Sequence, residues 1–277
     1  MIAPGEPAVK VMSSDHLSVS HHDHDFYELV YVTEGYCLNT VDGLSTLIME
    51  GDCFILPPGV VHMYSGNRWT RIYNCVFDVN VLSPYLHELK TLPGLANLLG
   101  SDSVGEPLQL RLSLSQRKAF VKRISGMAQI CQDHPLGWEV LLPSELVGLL
   151  VEFAQACSAR RDVGVGEDSY SAYVRQALSV IDVNYADCNL SVHRIAEQVG
   201  VSDDHLTRQF KQVTGISTQE YLRRYRFARA MRLLQTDISI AQVAKQSGFR
   251  TLSYFSREFS KELGITPSNY RNQNNQK

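Results

Sequence analysis

The sequence lacks the patterns that mark secreted and membrane-anchored proteins. Its opening residues, Met1-Ile2-Ala3-Pro4-Gly5-Glu6-Pro7, contain no basic segment followed by an apolar stretch, so a secretory signal is not expected. No uninterrupted apolar run reaches the roughly 18 residues that span a bilayer. These two absences predict a soluble, cytoplasmic protein that has no membrane partner.

Cysteine is scarce and irregularly spaced. None of the six cysteines belongs to a C-x-x-C pair or a short regular series, which disfavours both a disulfide framework and a zinc site built from thiolates. We expect reduced and mostly buried thiols. The six are Cys37, Cys53, Cys75, Cys131, Cys157 and Cys188.

The chain also lacks a strong overall charge, since its formal net charge is −3, but the two halves differ. The first 166 residues carry 11 Lys and Arg against 18 Asp and Glu, whereas residues 189–277 carry 14 against 7. A basic half joined to an acidic half predicts that the second half meets a polyanion.

The residue pattern of the first half changes from one typical of strands to one typical of helices. Runs rich in β-branched and aromatic residues at 28–36, 46–50, 53–56 and 69–79, with a turn at Asp42-Gly43, predict an all-β sandwich or small barrel. Helices are then predicted at about 84–99, 115–133 and 136–159. Their apolar stripe between Leu142 and Phe153 either covers the barrel or forms a dimer seam.

A polar, Gly-containing segment at 159–168 is the predicted linker. It separates a β-plus-helix domain at 1–158 from an all-helical domain at 169–277.

One pattern occurs twice in the helical half. Ala196 and Ala244 lie 48 residues apart, as do Gly200 and Gly248, whereas Gly215 and Gly264 lie 49 apart. The extra residue belongs in a turn, because inside a helix it would rotate later side chains by about 100°. Each copy is therefore predicted to be a helix, a turn at Gly and a second helix, which is the anatomy of a helix-turn-helix.

The second helix of each copy is predicted to present short polar groups around one Arg. Leu206 and Phe210 define the inner face of the first such helix, and Leu252, Phe255 and Phe259 define that of the second. Arg suits the paired acceptors of guanine, and Ser or Thr suits bases and phosphates. The predicted base-reading residues are Asp204, Thr207, Arg208, Ser253, Ser256 and Arg257.

The helix between the two copies is strongly basic. Any one of its arginines is compatible with a solvated surface charge, but as a set they suggest contact with phosphate or with an acidic partner. The predicted phosphate contacts are Lys211, Arg223, Arg224, Arg250 and Ser260.

Residues 189–271 resemble the DNA-binding domain of the AraC/XylS family of bacterial transcription regulators. The resemblance is carried by Ile240-Ala-Gln-Val-Ala-Lys-Gln-Ser-Gly-Phe249, by Ser253-Tyr-Phe-Ser-Arg-Glu-Phe259 and by Gly264-Ile-Thr-Pro-Ser-Asn-Tyr-Arg271. It implies two helix-turn-helix units that read successive major-groove segments of double-stranded DNA. Arg250-Thr-Leu252 departs from the small polar or acidic run that the family often has there.

The β half resembles a cupin. His22-x-His24-x-x-x-Glu28 followed by Gly35 is similar to the first cupin motif, and Gly51-x5-Pro57-x-Gly59-x-x-His62 is similar to the second, although Gly66 replaces its closing Asn. Three imidazoles and a carboxylate form a candidate divalent-metal site of His22, His24, Glu28 and His62. The alternatives are a metal-free effector site and a structural His–Glu cluster.

Aromatic and basic residues on nearby strands extend this candidate site, because rings stack on sugars and Arg binds carboxylates. The predicted effector pocket comprises His22, His24, Glu28, Tyr31, Tyr36, His62, Tyr64, Trp69 and Arg71.

These patterns predict a two-domain transcription regulator that is not an enzyme. The resemblance implies a homodimer, a sugar or related metabolite as effector, activation as the output and RNA polymerase as a partner. The alternatives are a metal-dependent cupin enzyme fused to a DNA-binding domain, and a regulator with no small-molecule ligand.

Overall fold

The computed structural model describes residues 8–15, 18–65, 70–96, 98–99, 108–162 and 172–274. The chain divides into two compact units. One comprises Met1–Gly35, Ile48–Met63 and Arg68–Ser169, and the other comprises Tyr36–Leu47, Tyr64–Asn67 and Tyr170–Lys277.

Strands dominate the first half of the described chain and form two sheets. In order they are β1 (Val9–Asp15), β2 (Ser18–His22), β3 (Tyr27–Glu34), β4 (Tyr36–Val41), β5 (Leu44–Met49), β6 (Asp52–Leu56), β7 (His62–Ser65), β8 (Arg71–Phe77) and β9 (Leu108–Arg111). One sheet has the order β1-β8-β3-β6-β9 and the other β2-β7-β4-β5. The predicted all-β architecture of this half is confirmed.

Two glycine-containing turns set the strand ends. Asp42 and Gly43 both have positive φ (48° and 81°), which matches the tight hairpin turn predicted between β4 and β5. The β-rich run at 28–36 is divided between β3 and β4, because Gly35 adopts a φ of 73°.

The two faces of β3 have different surroundings. Tyr27, Leu29 and Tyr31 belong to the apolar core that the sheet shares with the helices of its unit. Glu28 lies on the opposite face, because successive side chains of a strand alternate. This alternation directs the one buried carboxylate of β3 away from the helices.

The helices of the first unit differ in part from expectation. A 3₁₀ helix at Val79–Tyr85 leads into the short α1 (Leu86–Leu89), and turns follow it. The predicted helix at 84–99 is therefore wrong beyond Leu89, where Pro93 and Gly94, with φ of 77°, oppose a continuous helix. The two later helices are confirmed as α2 (Leu114–Asp133) and α3 (Trp138–Asp162), and α3 includes the first four residues of the predicted linker.

The apolar stripe of α3 packs inside this unit. Leu142, Leu146, Leu149, Leu150 and Phe153 are at most 1% exposed and share one core with α2 and the sheet. Of the two alternatives for the stripe, the structure supports packing against the sheet. The alternative of a dimer seam made of these five side chains is wrong, because they are buried within the unit.

The helix α3 is also apolar by composition. Among the described helices, Trp138–Ala159 alone is long and apolar enough to cross a membrane, with a mean hydropathy of 1.5. Its Glu145 and Glu152 pair with Arg123 of α2, and its leucines lie in the core, as expected of an internal helix of a folded domain.

The helical unit follows the doubled pattern. Its helices are α4 (Ala172–Asn184), α5 (Val192–Val199), α6 (Asp203–Thr214), α7 (Thr218–Leu233), α8 (Ile240–Gln246), α9 (Leu252–Leu263) and α10 (Pro267–Asn274). The side chains of Ser191, Ser202 and Ser239 cap α5, α6 and α8, and each accepts a backbone N–H three residues on. Ser217 caps α7 in the same way, and Glu220 of the same turn pairs with Arg223.

Candidate DNA interface and sensor site

The first predicted reading helix, α6, presents a polar outer face. Leu206 and Phe210 are fully buried, whereas Asp204, Arg208 and Lys211 are exposed and Thr207 is partly exposed. Arg208 makes a loose 3.5 Å contact with Nδ1 of His205. The helix therefore offers one guanidinium and short polar groups to a partner.

The second reading helix, α9, has a similar outer face with a more apolar beginning. Phe255 and Phe259 are buried as predicted, but Leu252, placed on the inner face from the sequence, is 43% exposed. Leu252 is the first residue of the helix and extends past the core that the two phenylalanines fill. Among the predicted contacts, Ser253 and Arg257 are exposed and Ser256 and Ser260 are partly exposed.

The guanidinium of Arg257 is accessible. Its side chain is 70% exposed, contacts Oε1 of Glu258 at 3.2 Å and lies 5.4 Å from the centre of the Tyr254 ring. Arg250, just before α9, is also exposed and donates to Oδ1 of Asn189 at 2.9 Å. These two residues place positive charge at the start and middle of the second reading helix.

The arginines of α7 are engaged within their own unit. Arg223 pairs with Glu220 and Glu262, each at 2.9 Å, and Arg224 pairs with Glu220 at 2.7 Å. Both side chains are only about 30% exposed. Their phosphate contact stays a prediction, and it requires that these ion pairs share the guanidinium with a phosphate.

A second cluster joins α7 to the hairpin of β4 and β5, of which Tyr36–Leu47 belongs to the same unit. Arg229 donates to Asp182 of α4 at 2.7 Å and to Ser45 of the hairpin at 3.1 Å. The backbone N–H of Leu47 donates to the hydroxyl of Tyr221 at 2.6 Å. The sequence places Arg229 only in the basic set of α7, and it does not indicate the contacts with Asp182 and Ser45, which are remote in the chain.

The first unit holds the predicted His–Glu cluster. Glu28 is 3% exposed and His62 is fully buried. Oε2 of Glu28 lies 2.8 Å from Nε2 of His24 and 3.1 Å from Nε2 of His62. The rings of His22 and His62 are 4.2 Å apart, so all four predicted residues meet.

The backbone orients all three imidazoles. Nδ1 of His22, His24 and His62 lies 2.8–3.0 Å from the carbonyl oxygen of Ser20, Phe26 and Val60, respectively. Each Nδ1 therefore carries the proton of that contact, and each Nε2 is left for the cluster.

Asn74 of β8 completes the surroundings of Glu28 and was missed from the sequence. Its Nδ2 donates to Oε1 of Glu28 at 2.6 Å. In the register of β3 with β8, Asn74 is the partner of Val30, which shares a strand face with Glu28. One polar residue within the apolar alternation of β8 was the available signal.

The imidazoles also set the charge of the carboxylate. Burial raises the pKa of Glu28, but the hydrogen bonds and charges of His24 and His62 outweigh burial and lower the pKa to about 2. The same contact raises the pKa of His62 against the effect of its burial. Glu28 is thus a carboxylate across the physiological range.

The remaining predicted pocket residues do not join this cluster in the described part of the first unit. Tyr31 lies on the opposite face of β3, where its ring is 5.3 Å from that of Phe120, so its predicted pocket role is wrong. Arg71 is 54% exposed and pairs with Glu34, so it does not join the cluster, and its effector role stays a prediction.

Three aromatic residues of the predicted pocket stay untested. Tyr36 and Tyr64 are buried in the second unit, and their effector role stays a prediction. Trp69 lies outside the described residues.

Comparisons with known proteins match both parts of the chain. A helix-turn-helix domain family matches residues 195–273, and an AraC-like ligand binding domain family matches residues 9–73. The chain is 28% identical over 263 residues to the HTH-type transcriptional activator RhaR of Shigella dysenteriae serotype 1 (strain Sd197), covering 93% of this chain and 89% of the relative. It is 27% identical over 260 residues to RhaR of Enterobacter sp. (strain 638), covering 91% and 86%.

Among solved structures, an AraC-type transcriptional regulator from Chromobacterium violaceum is 36% identical, with a TM-score of 0.35, and covers 37% of this chain and 91% of its own. A double helix-turn-helix unit joined to a β-rich ligand-binding domain defines a DNA-binding transcription regulator. The chain belongs to the AraC/XylS family.

Proposed function

We propose that the protein is a transcription activator that reads an asymmetric DNA site through α6 and α9. The observation that carries this proposal is the pair of exposed polar faces, each centred on one accessible Arg. Arg208 and Arg257 suit bidentate contacts with guanine in the major groove. Activation is proposed because the relatives of similar length are named transcriptional activators.

The β-rich part of the first unit is the proposed sensor. Its buried His–Glu cluster, with Asn74 beside it, offers hydrogen-bonding groups that suit a small polar metabolite such as a sugar or a hydroxy acid. The match of residues 9–73 to an AraC-like ligand binding domain supports this assignment.

The hairpin of β4 and β5 is a proposed element of the response to effector. It bonds α7, the helix that connects the two helix-turn-helix copies, through Leu47–Tyr221 and Ser45–Arg229. An effector that favours one arrangement of this hairpin would shift the population of DNA-binding states.

The experiment is selection of DNA from a random pool by the purified chain. We expect enriched sites with two unlike conserved segments about one helical turn, roughly 10 base pairs, apart, because one chain carries two unlike readers. A chain with Arg208→Ala and Arg257→Ala together is the control, and it should enrich no common sequence. Equal retention of random and selected DNA by the unaltered chain would overturn the proposal.

A further inference from the structure

We propose that the first unit binds a divalent transition-metal ion through His22, Glu28 and His62. The proposal deepens the sensor role given to this cluster above. Its test measures metal directly, so its outcome is independent of whether the chain activates transcription.

The ligand atoms converge. One atom each from His22, Glu28 and His62 lies within 4.8 Å of the other two. Ligands at about 2.0–2.2 Å from a metal ion are at most about 4.4 Å apart, so a contraction of a few tenths of an ångström closes the shell. His22 and His62 lie on β2 and β7, which are neighbours in one sheet. Glu28 lies on β3 of the other sheet.

The imidazoles are oriented as metal ligands usually are. A ligating His commonly donates its other ring N–H to a backbone carbonyl or a carboxylate, which fixes both the ring and the tautomer. His22 and His62 contact the carbonyl oxygens of Ser20 and Val60 through Nδ1. Each therefore keeps Nε2 available as a metal ligand, and that of His62 lies 3.1 Å from Oε2 of Glu28.

Both oxygen atoms of the Glu28 carboxylate have polar partners that fix its position. Asn74 donates to its Oε1 at 2.6 Å, and His24 contacts Oε2 at 2.8 Å. His24 lies outside the three-residue group, which changes the role expected of it from the sequence. It becomes a positioning residue for Glu28, and its own Nδ1 is held by Phe26.

Two imidazoles and one carboxylate select the class of metal. Imidazole suits zinc, copper, iron and nickel, whereas magnesium and calcium prefer all-oxygen shells. Two His and one carboxylate also leave coordination positions open. A small effector with vicinal hydroxyls or a hydroxy acid would fill those positions, so the ion would anchor the effector.

The test uses the untagged full chain, stripped with EDTA and then titrated with Zn²⁺ and Co²⁺. Metal analysis should find one ion per chain, and the Co²⁺ complex should show visible absorption bands of a nitrogen-and-oxygen shell. His22→Ala and His62→Ala should each weaken binding by more than about 100-fold, and His24→Ala by about 10–100-fold with the Co²⁺ spectrum retained.

The control is His21→Ala, because His21 is an exposed neighbour on the same strand. It should leave affinity and spectrum unchanged. His22 is only partly buried, so His22→Ala stays informative if His62→Ala or Glu28→Gln fails to fold. Binding of less than about one-tenth of an ion per chain, or binding that His22→Ala leaves unchanged, would show that the cluster is a structural His–Glu network and overturn the proposal.

Discussion

The two helix-turn-helix copies have the same backbone plan but different surroundings. The N–H of Val201 bonds the carbonyl of Ala196 at 3.0 Å, and that of Phe249 bonds Ala244 at 3.0 Å, so both first helices end alike. The glycines at these ends, however, are not equivalent. A Cβ on Gly200 would meet nothing within 4 Å, whereas one on Gly248 would lie 2.1 Å from the carbonyl oxygen of Tyr185.

This difference distinguishes a constraint that both turns share from one that packing in the helical unit adds at the second turn. Both copies require a residue of positive φ at the turn, 78° at Gly200 and 81° at Gly248. Only the second turn is pressed against the segment after α4, where Arg226 also bonds Tyr185. The second copy is therefore integrated into the helical unit more tightly at its turn than the first.

The largest expected effect is on folding stability at these glycines. Gly248→Ala should lower the free energy of unfolding by about 3 kcal/mol or more, since it combines left-handed backbone strain with a clash against backbone. Gly200→Ala should cost only the strain, about 1–2 kcal/mol. Urea unfolding of the full chain measures both, and equal losses would remove the proposed difference between the turns.

The next effect is on DNA affinity at the two reading arginines. Arg208→Ala and Arg257→Ala should each weaken binding to a selected site by about 1–3 kcal/mol, with little change in stability, because both side chains are exposed. Competition assays against random DNA provide the measurement. If binding to selected and random DNA weakens equally, these arginines contact phosphates only.

The helix caps provide a smaller comparison in which the copies should agree. Ser202 accepts from the N–H of His205 at 3.3 Å, and Thr251 accepts from that of Tyr254 at 3.2 Å. Ser202→Ala and Thr251→Ala should each destabilise the chain by about 1 kcal/mol. Thermal unfolding measures both losses. If one substitution lowers the free energy of unfolding more than twice as much as the other, the two caps are not equivalent.

The smallest effect is expected on α7, between the copies. Arg224→Ala removes a partly exposed ion pair with Glu220, which contributes about 1 kcal/mol or less. It should weaken binding to selected and random DNA about equally, since any contact is with phosphate. Loss of preference at one base of the selected site would instead make Arg224 a reader.

The repeat was predictable because its determinants are local. Side chains at Ser202 and Ser239 cap the residues that follow them, and Gly200 supplies positive φ where a helix must end. Short-range rules of this kind can be read from spacing alone. The same holds for the turn at Asp42-Gly43.

The errors occurred where distant residues decide the outcome. Tyr31 was assigned to the pocket by proximity along the chain, but strand alternation places it with Phe120. Leu252 fits the helical inner face, yet at the first position of α9 no core reaches it. The partners of Asn74 and Arg229 lie 46 and 47 residues away, so no local pattern identified those partners.

The most direct test of the central claim is a base-by-base substitution scan of a selected DNA site, bound by the unaltered chain, by Arg208→Ala and by Arg257→Ala. The account predicts that each variant loses preference in a different segment, about one helical turn from the other, and keeps preference in the segment that the other copy reads. Loss of preference in the same segment by both variants, or in neither, would contradict two unlike readers on one chain.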